Sequence, residues 1–201
     1  MTGTFWDQRF AERGFAYGEE PNVFLSSRLD ELEPGSLLLP AEGEGRNAVW
    51  AATRGWRVHA FDTSTVGRDK ALATARRRSV EICYELRSVV DDLDDLEGRF
   101  DAVGLVFMHL PPEVRQHAHR AVARCLRPGG CLILEAFSKE QLERGTGGPR
   151  EPSLLYELSD LERDFDEMEI RSLERCDVEL AEGKYHRGVS SVLRLLAVRP
   201  G

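Results

Sequence analysis

The sequence predicts an α/β sandwich, a mainly parallel sheet with helices on both faces. Three observations carry this. Short apolar runs alternate with helix-period segments from residue 34 onward. The first run, Leu37-Leu38-Leu39, empties through Pro40 into a glycine-rich turn, Ala41-Glu42-Gly43-Glu44-Gly45-Arg46-Asn47. The second, Val58-His59-Ala60-Phe61, ends on a carboxylate, Asp62, roughly 20 residues after the turn. A strand, a tight Gly-x-Gly turn, a helix and an acid-tipped strand make a nucleoside-binding half-sheet, because glycines let backbone approach a ligand and the acid accepts ribose hydroxyl protons.

Residues 4–14 read as a short helix with Phe5, Trp6 and Phe10 on its apolar positions. Glu20-Pro21-Asn22 turns the chain into a second helix over 23–32, which Pro34-Gly35 stops. Strands follow at 36–39 and 57–61, joined by a helix over 47–54 with Gly55 at its end. A helix over 66–78 leads to a third strand over 83–89. The fourth strand, 100–107, is apolar enough for burial on both faces. A helix over 111–126 starts at proline, where a missing N–H costs little. Arg127-Pro128-Gly129-Gly130 reads as a turn before the fifth strand, 131–137. Ser159 to Glu162 reads as a capping box opening a helix through Phe165. Strands over 170–180 and 190–198 close the chain as an antiparallel pair around a 182–188 loop.

The 201 residues fit one domain, divided here into an N-terminal helical cap (1–33), a cofactor-binding half (34–137) and a substrate-side half with the terminal hairpin (138–201). A net charge of -8 with dispersed basic residues argues against nucleic acid. No apolar run reaches membrane-span length, and the N-terminus lacks a signal core, so a cytoplasmic protein is expected. Cys83, Cys125, Cys131 and Cys176 show no Cys-x-x-Cys spacing, so neither zinc nor disulfides are expected and no metal site is assigned.

Ligands of open α/β sheets bind at the carboxyl ends of the strands. That selects Glu42, Gly43, Gly45, Arg46 and Asn47 at the first tip and Asp62, Thr63 and Ser64 at the second. Val90 and Asp91 stand at the third tip, with Asp91 placed to accept from an adenine amino group. Phe107 and His109 stand at the fourth tip and Phe137 at the fifth. Asp62 fits the ribose or a helix N-cap; the ribose is favoured, because Thr63, Ser64 and Thr65 can cap as well. Glu42 and Glu44 would repel a pyrophosphate but suit a cationic sulfonium, which tilts the reading from a dinucleotide toward S-adenosylmethionine. His109 fits two roles equally, catalysis facing the transferred group or a structural bond within the turn. Tyr185 and His186 in the last hairpin are substrate-side candidates with Phe137 and His109, whereas His117 and His119 read as helix-surface residues.

Taken together, Leu37 to Asn47, Asp62, Phe107 to Pro111 and the Leu126 to Gly130 turn resemble the class I S-adenosylmethionine-dependent methyltransferases. Phe5 to Phe10, Tyr17 to Asn22, Thr146-Gly147-Gly148-Pro149 and Tyr185-His186-x-Gly188 resemble the small bacterial tellurite-resistance and thiopurine methyltransferase type. The resemblance implies a Rossmann-like seven-stranded sheet with an antiparallel last strand. It implies that Gly43 and Gly45 border the methionine part of the cofactor, that Asp62 holds the ribose, and that Trp6, Tyr17 and Arg46 close the site. Leu39 and Ala41 depart from the pattern, where the family carries an acid and a glycine, and Glu42 is placed to replace the lost polar group. The expected activity is methyl transfer to a small-molecule acceptor, a thiol or chalcogen compound, by a monomer or weak homodimer. A nicotinamide-dependent oxidoreductase and a non-catalytic S-adenosylmethionine-binding module are the competing readings.

Overall fold

In a computed structural model describing residues 3–201, seven strands form one sheet in the order β3-β2-β1-β4-β5-β7-β6. They are β1 (Ser36–Pro40), β2 (Arg57–Asp62), β3 (Cys83–Leu86), β4 (Phe100–Val106), β5 (Leu126–Phe137), β6 (Glu169–Glu182) and β7 (His186–Val198). β1 to β5 pair in parallel, and β7 runs antiparallel to both β5 and β6. The strand order reverses between β1 and β4, the point where the carboxyl ends open a crevice.

The helices are α1 (Gly3–Phe10), α2 (Val23–Leu29), α3 (Arg46–Thr53), α4 (Thr65–Arg77), α5 (Pro112–Arg124) and α6 (Leu158–Asp164). Strand period 2 splits the core between two faces. Leu38, Phe61, Val103 and Leu134 pack with Val122 of α5 and Leu161 of α6. Leu37, Leu39, Ala60 and Ile133 pack on the other face with Leu25 of α2, Ala48 of α3 and Ala71 of α4. The central strands are therefore apolar on both sides, as their composition demands. Truncating one such leucine to alanine costs about 2–5 kcal/mol.

Several boundaries differ from the sequence reading, each for a local reason. Helix α1 ends at Phe10, not Gly14, and α2 at Leu29, where Asp30 caps it. β3 stops at Leu86, because Arg87 to Val89 leave the sheet edge for the crevice. The Arg127 to Gly130 turn lies inside β5, where pairing jumps from Phe100↔Leu126 to Ala102↔Cys131 and Arg199 bonds Gly129 and Gly130. The capping box of α6 uses Glu157 and Asp160 rather than Ser159 and Glu162. The terminal hairpin is longer than expected, and His186 belongs to β7. His119 is buried rather than surface-exposed: Asp164 of α6 accepts from its Nδ1 at 3.0 Å and from Arg115 Nε at 2.7 Å, a pairing no periodicity exposes. Among the described residues no helix is long and apolar enough to cross a membrane.

Candidate active site

A cavity of about 1290 Å³ opens over the tips of β1, β2 and β4 and runs under α1 and the β6–β7 hairpin. Its cradle is backbone. Gly43 has φ +62° and Gly45, at the N-cap of α3, has φ +83°. A Cβ on Gly45 would stand 2.3 Å from that of Ala71, so only glycine lets α3 and α4 close here. Asp62 locks the turn: Oδ2 accepts from Gly43 N at 3.0 Å and Oδ1 from Ser64 N at 2.9 Å. Each oxygen retains acceptor capacity for a further donor. Burial raises the pKa of Asp62 against those bonds. Tyr84 donates to Gly43 O at 2.6 Å and clamps the other side.

The two glutamates of the turn face separate tasks. Glu42 Oε1 accepts from Asn47 N at 2.7 Å and Ala48 N at 2.8 Å, and Oε2 from Asn47 Nδ2 at 3.0 Å. It thereby caps the first turn of α3 while lining the cavity. Burial pushes its pKa up to about 7. Glu44 accepts from Ala16 N at 2.7 Å and pairs with Lys70 at 2.8 Å, so its charge is neutralised.

Of the residues selected from sequence, Trp6, Tyr17, Glu42, Gly43, Arg46, Asn47, Asp62, Thr63, Phe107, His109, Phe137, Tyr185 and His186 line the cavity. Gly45 does not line it. Ser64 lies outside the lining: its hydroxyl caps α4 through Gly67 N at 3.0 Å and donates to Asp7 at 2.6 Å. That bond ties α1 over the second tip. Val90 and Asp91 also lie outside, because Asp91 turns back to accept from Ser88 N at 2.7 Å. Arg87, Ser88 and Val89 line the third tip instead.

His109 resolves to the structural alternative. Its Nδ1 lies 2.7 Å from Leu154 O, and its Nε2 accepts from Phe137 N at 3.2 Å. A carbonyl can only accept and an amide only donate, so the ring is neutral with the proton on Nδ1. Burial holds its pKa down to about 4. No lone pair remains for an acceptor proton, so the expected catalytic base at His109 is corrected to a brace between β5 and the Leu154 turn.

His186 is held differently. Its Nδ1 lies 3.2 Å from Glu182 Oε2, its ring stands edge-on to Phe107 and Phe137, and Nε2 carries no hydrogen bond among the described residues. Burial lowers its pKa despite that carboxylate, leaving the ring neutral. Burial works to raise Glu182, but His186 and Arg46 outweigh it and hold the carboxyl below its ordinary range. Arg46 bridges the two sides of the cavity, with Nη2 2.8 Å from Glu182 and Nη1 3.2 Å from Tyr17 O. Asn22 continues the bridge, donating to Glu135 at 2.7 Å and Glu182 at 3.2 Å while its N–H reaches Asn47 at 2.8 Å. Glu182, Glu135 and the polar hub of Asn22 escaped the sequence reading; the Tyr17 to Asn22 motif was their only trace.

A family described as "Methyltransferase domain" matches residues 40–130, the span from the first turn through the β5 bulge. The ubiquinone biosynthesis O-methyltransferase of Alkalilimnicola ehrlichii is 31% identical over 118 residues, 58% of this chain and 47% of that protein. The chain thus spans about half the length of that curated relative. A solved structure described by the conversion of a disulfide bond into a thioacetal group during echinomycin biosynthesis superposes with TM-score 0.80 at 17% identity, covering 98% of this chain and 89% of the other. TehB from Haemophilus influenzae superposes with TM-score 0.73 at 16% identity, covering 89% and 62%. The α/β fold expected from sequence is the one observed.

The residues fit S-adenosylmethionine, the cofactor expected from sequence. Gly43, without a side chain, lines the cradle, Gly45 lets α3 and α4 close, Asp62 keeps acceptor capacity, and Glu42 puts a carboxyl group beside the turn. The cavity has room beyond one nucleoside-sized ligand.

Proposed function

We propose that the chain transfers a methyl group from S-adenosylmethionine to a small, soft acceptor, a thiol or chalcogen compound, in the space bounded by Phe107, Phe137, Tyr185 and His186. The observation that carries this reading is the Glu182–His186 pair: a neutral imidazole oriented through Nδ1, with Nε2 unbonded among the described residues. When bound, the sulfonium supplies an electrophilic methyl carbon for in-line displacement. The chain's own residues orient, exclude water and move one proton. Gly43, Asp62 and Arg46 hold the donor side, and Trp6, Phe10 and Tyr17 close it from water. His186 Nε2 takes the acceptor's proton as the new carbon–sulfur bond forms, and Glu182 stabilises the resulting imidazolium.

The base matches the acceptor class. A thiol's pKa of about 8.5 lies within reach of an imidazole, whereas an unactivated hydroxyl lies far above it. Arg9, Arg150 and Arg187 line the same cavity without an ion pair among the described residues, which favours an acceptor that carries negative charge. Residues 4–22 serve in this reading as the cover of the donor site.

Labelled S-adenosylmethionine offered with a panel of thiols, selenite, tellurite, phenols and amines tests the proposal. Label should enter the sulfur and chalcogen compounds. Transfer confined to oxygen and nitrogen acceptors would reject the acceptor class. Calorimetry with S-adenosylhomocysteine and with NAD tests the donor separately, with heat expected only from the first.

A further inference from the structure

Outside the cavity, one cluster of metal-ligating side chains lies on the sheet. His59 sits in β2, and Cys83 and Glu85 sit in β3. His59 and Cys83 are register partners across the parallel pair. Cys83 and Glu85 are two apart on one strand and therefore share its face. One ligand atom from each, sulfur, ring nitrogen and carboxylate oxygen, lies within 4.8 Å of the other two. Strand register, not a loop, sets this arrangement. His59 Nε2 is buried with no hydrogen-bond partner among the described residues. Glu85 Oε1 stands 3.2 Å away but off the direction a ring N–H bond requires.

We propose that His59, Cys83 and Glu85 form a binding site for one divalent cation of the zinc type, with water completing a tetrahedron. The donor set selects the metal. A thiolate and an imidazole disfavour calcium and magnesium, which prefer all-oxygen cages, whereas zinc accepts sulfur, nitrogen and oxygen together. Bonds of about 2.0–2.3 Å put tetrahedral ligand atoms roughly 3.3–3.8 Å apart, a small contraction of the arrangement present.

Charge balance also permits it. Arg87 lies near the cluster, with Nη1 3.8 Å from Glu85 Oε2, and Arg99 adds to the positive field at His59. Asp95 already pairs with Arg87. A thiolate and a carboxylate cancel the charge of a divalent ion, so the filled cluster is neutral; because the carboxylate is already ionised and only the thiol proton leaves, filling removes one negative charge beside these arginines rather than leaving a cation unpaired. The cation replaces the thiol proton, which passes to solvent. The consequence would be mechanical: β3 is the four-residue edge strand of the sheet, and its continuation, Arg87 to Val89, lines the cavity. A cation shared by β2 and β3 would pin that edge.

Cobalt(II) titration of the whole chain under mildly alkaline, reducing conditions tests this. Uptake should saturate at one equivalent, with tetrahedral ligand-field bands and a thiolate-to-cobalt charge-transfer band, and zinc should displace it. Cys83→Ser should abolish the charge-transfer band, and His59→Gln and Glu85→Gln should each weaken uptake at least about 10-fold. Cys83 is exposed, so the serine variant should unfold at the same temperature as the metal-free parent; zinc should raise that temperature in the parent alone. The site is disproved by a lack of saturable uptake, or by a charge-transfer band that survives in Cys83→Ser. Uptake unaffected by both His59→Gln and Glu85→Gln would reduce the site to a single adventitious thiolate and overturn it equally.

Discussion

In the proposed reading, the donor and acceptor sides of the cavity are built by different means. The donor cradle is local and mostly backbone: Pro40 to Asn47 and Asp62 form it within two adjacent strand tips, and glycine conformations set its shape. The acceptor side is assembled from side chains distant in sequence, Asn22, Glu135, Glu182 and His186, with Arg46 bridging it to the donor side. The donor side tolerates little change in shape, because backbone cannot repack. The acceptor side tolerates shape change but depends on each buried polar partner, since an orphaned group loses its full solvation. That division suits a scaffold on which one donor serves many acceptors.

The largest effect is expected where the cradle cannot yield. Gly45→Val forces a branched side chain into φ +83° and drives its Cβ to 2.3 Å from Ala71 Cβ. Strain and overpacking together should cost about 3 kcal/mol or more, read by urea denaturation. A loss below about 1 kcal/mol would mean that α3 and α4 can part, and the cradle would not be rigid.

Asp62→Ala should come next. It removes an acceptor from Gly43 N and Ser64 N as well as the group proposed for the ribose. Affinity for S-adenosylhomocysteine should fall by about 2–4 kcal/mol in calorimetry. Unchanged affinity with reduced stability would confine Asp62 to the turn and leave the ribose to another residue.

Two histidines sharpen the contrast. His109→Ala strips partners from Leu154 O and Phe137 N and should cost about 1–3 kcal/mol of stability, with the pH profile of turnover unmoved. His186→Gln should fold normally but slow transfer to a thiol about 100-fold, the deficit shrinking above the thiol's own pKa. Interchanged results would restore His109 as the base.

These histidines also mark what sequence makes legible. The strand order of βα units, the Gly43–Gly45 turn and the acid at Asp62 are local patterns, so composition and spacing expose them. His109 could not be assigned, because its role depends on Leu154, which only folding brings to its Nδ1. Glu182 reads as one polar residue in a hairpin until Arg46 and His186 close on it. Asp91 is not reached from spacing because β3 stops at Leu86, so the third tip that lines the cavity is Arg87 to Val89. Edge strands have one partner, so their ends follow tertiary contacts more than propensity.

The smallest effect concerns pH, and it pits the two sides against each other. Glu42 has a folded pKa near 7, above the unfolded value of about 4.3. The folded state then holds the extra proton, so this group's contribution to stability falls as pH rises from about 4.5 to 7. His109 has a folded pKa near 4, below the unfolded value of about 6.5. Here the unfolded state holds the extra proton, so stability falls as pH drops through that window. Between about pH 4.5 and 6.5 the donor-side carboxyl and the acceptor-side ring oppose each other, and part of each slope is hidden in the parent. Glu42→Gln should therefore show a stability that rises more steeply with pH than the parent's, by about 1–2 kcal/mol across the window. His109→Gln should show the reverse. Denaturant melts at several pH values read the two slopes, and parallel curves for parent and Glu42→Gln would mean that the carboxyl of Glu42 ionises in the folded cradle as freely as in water.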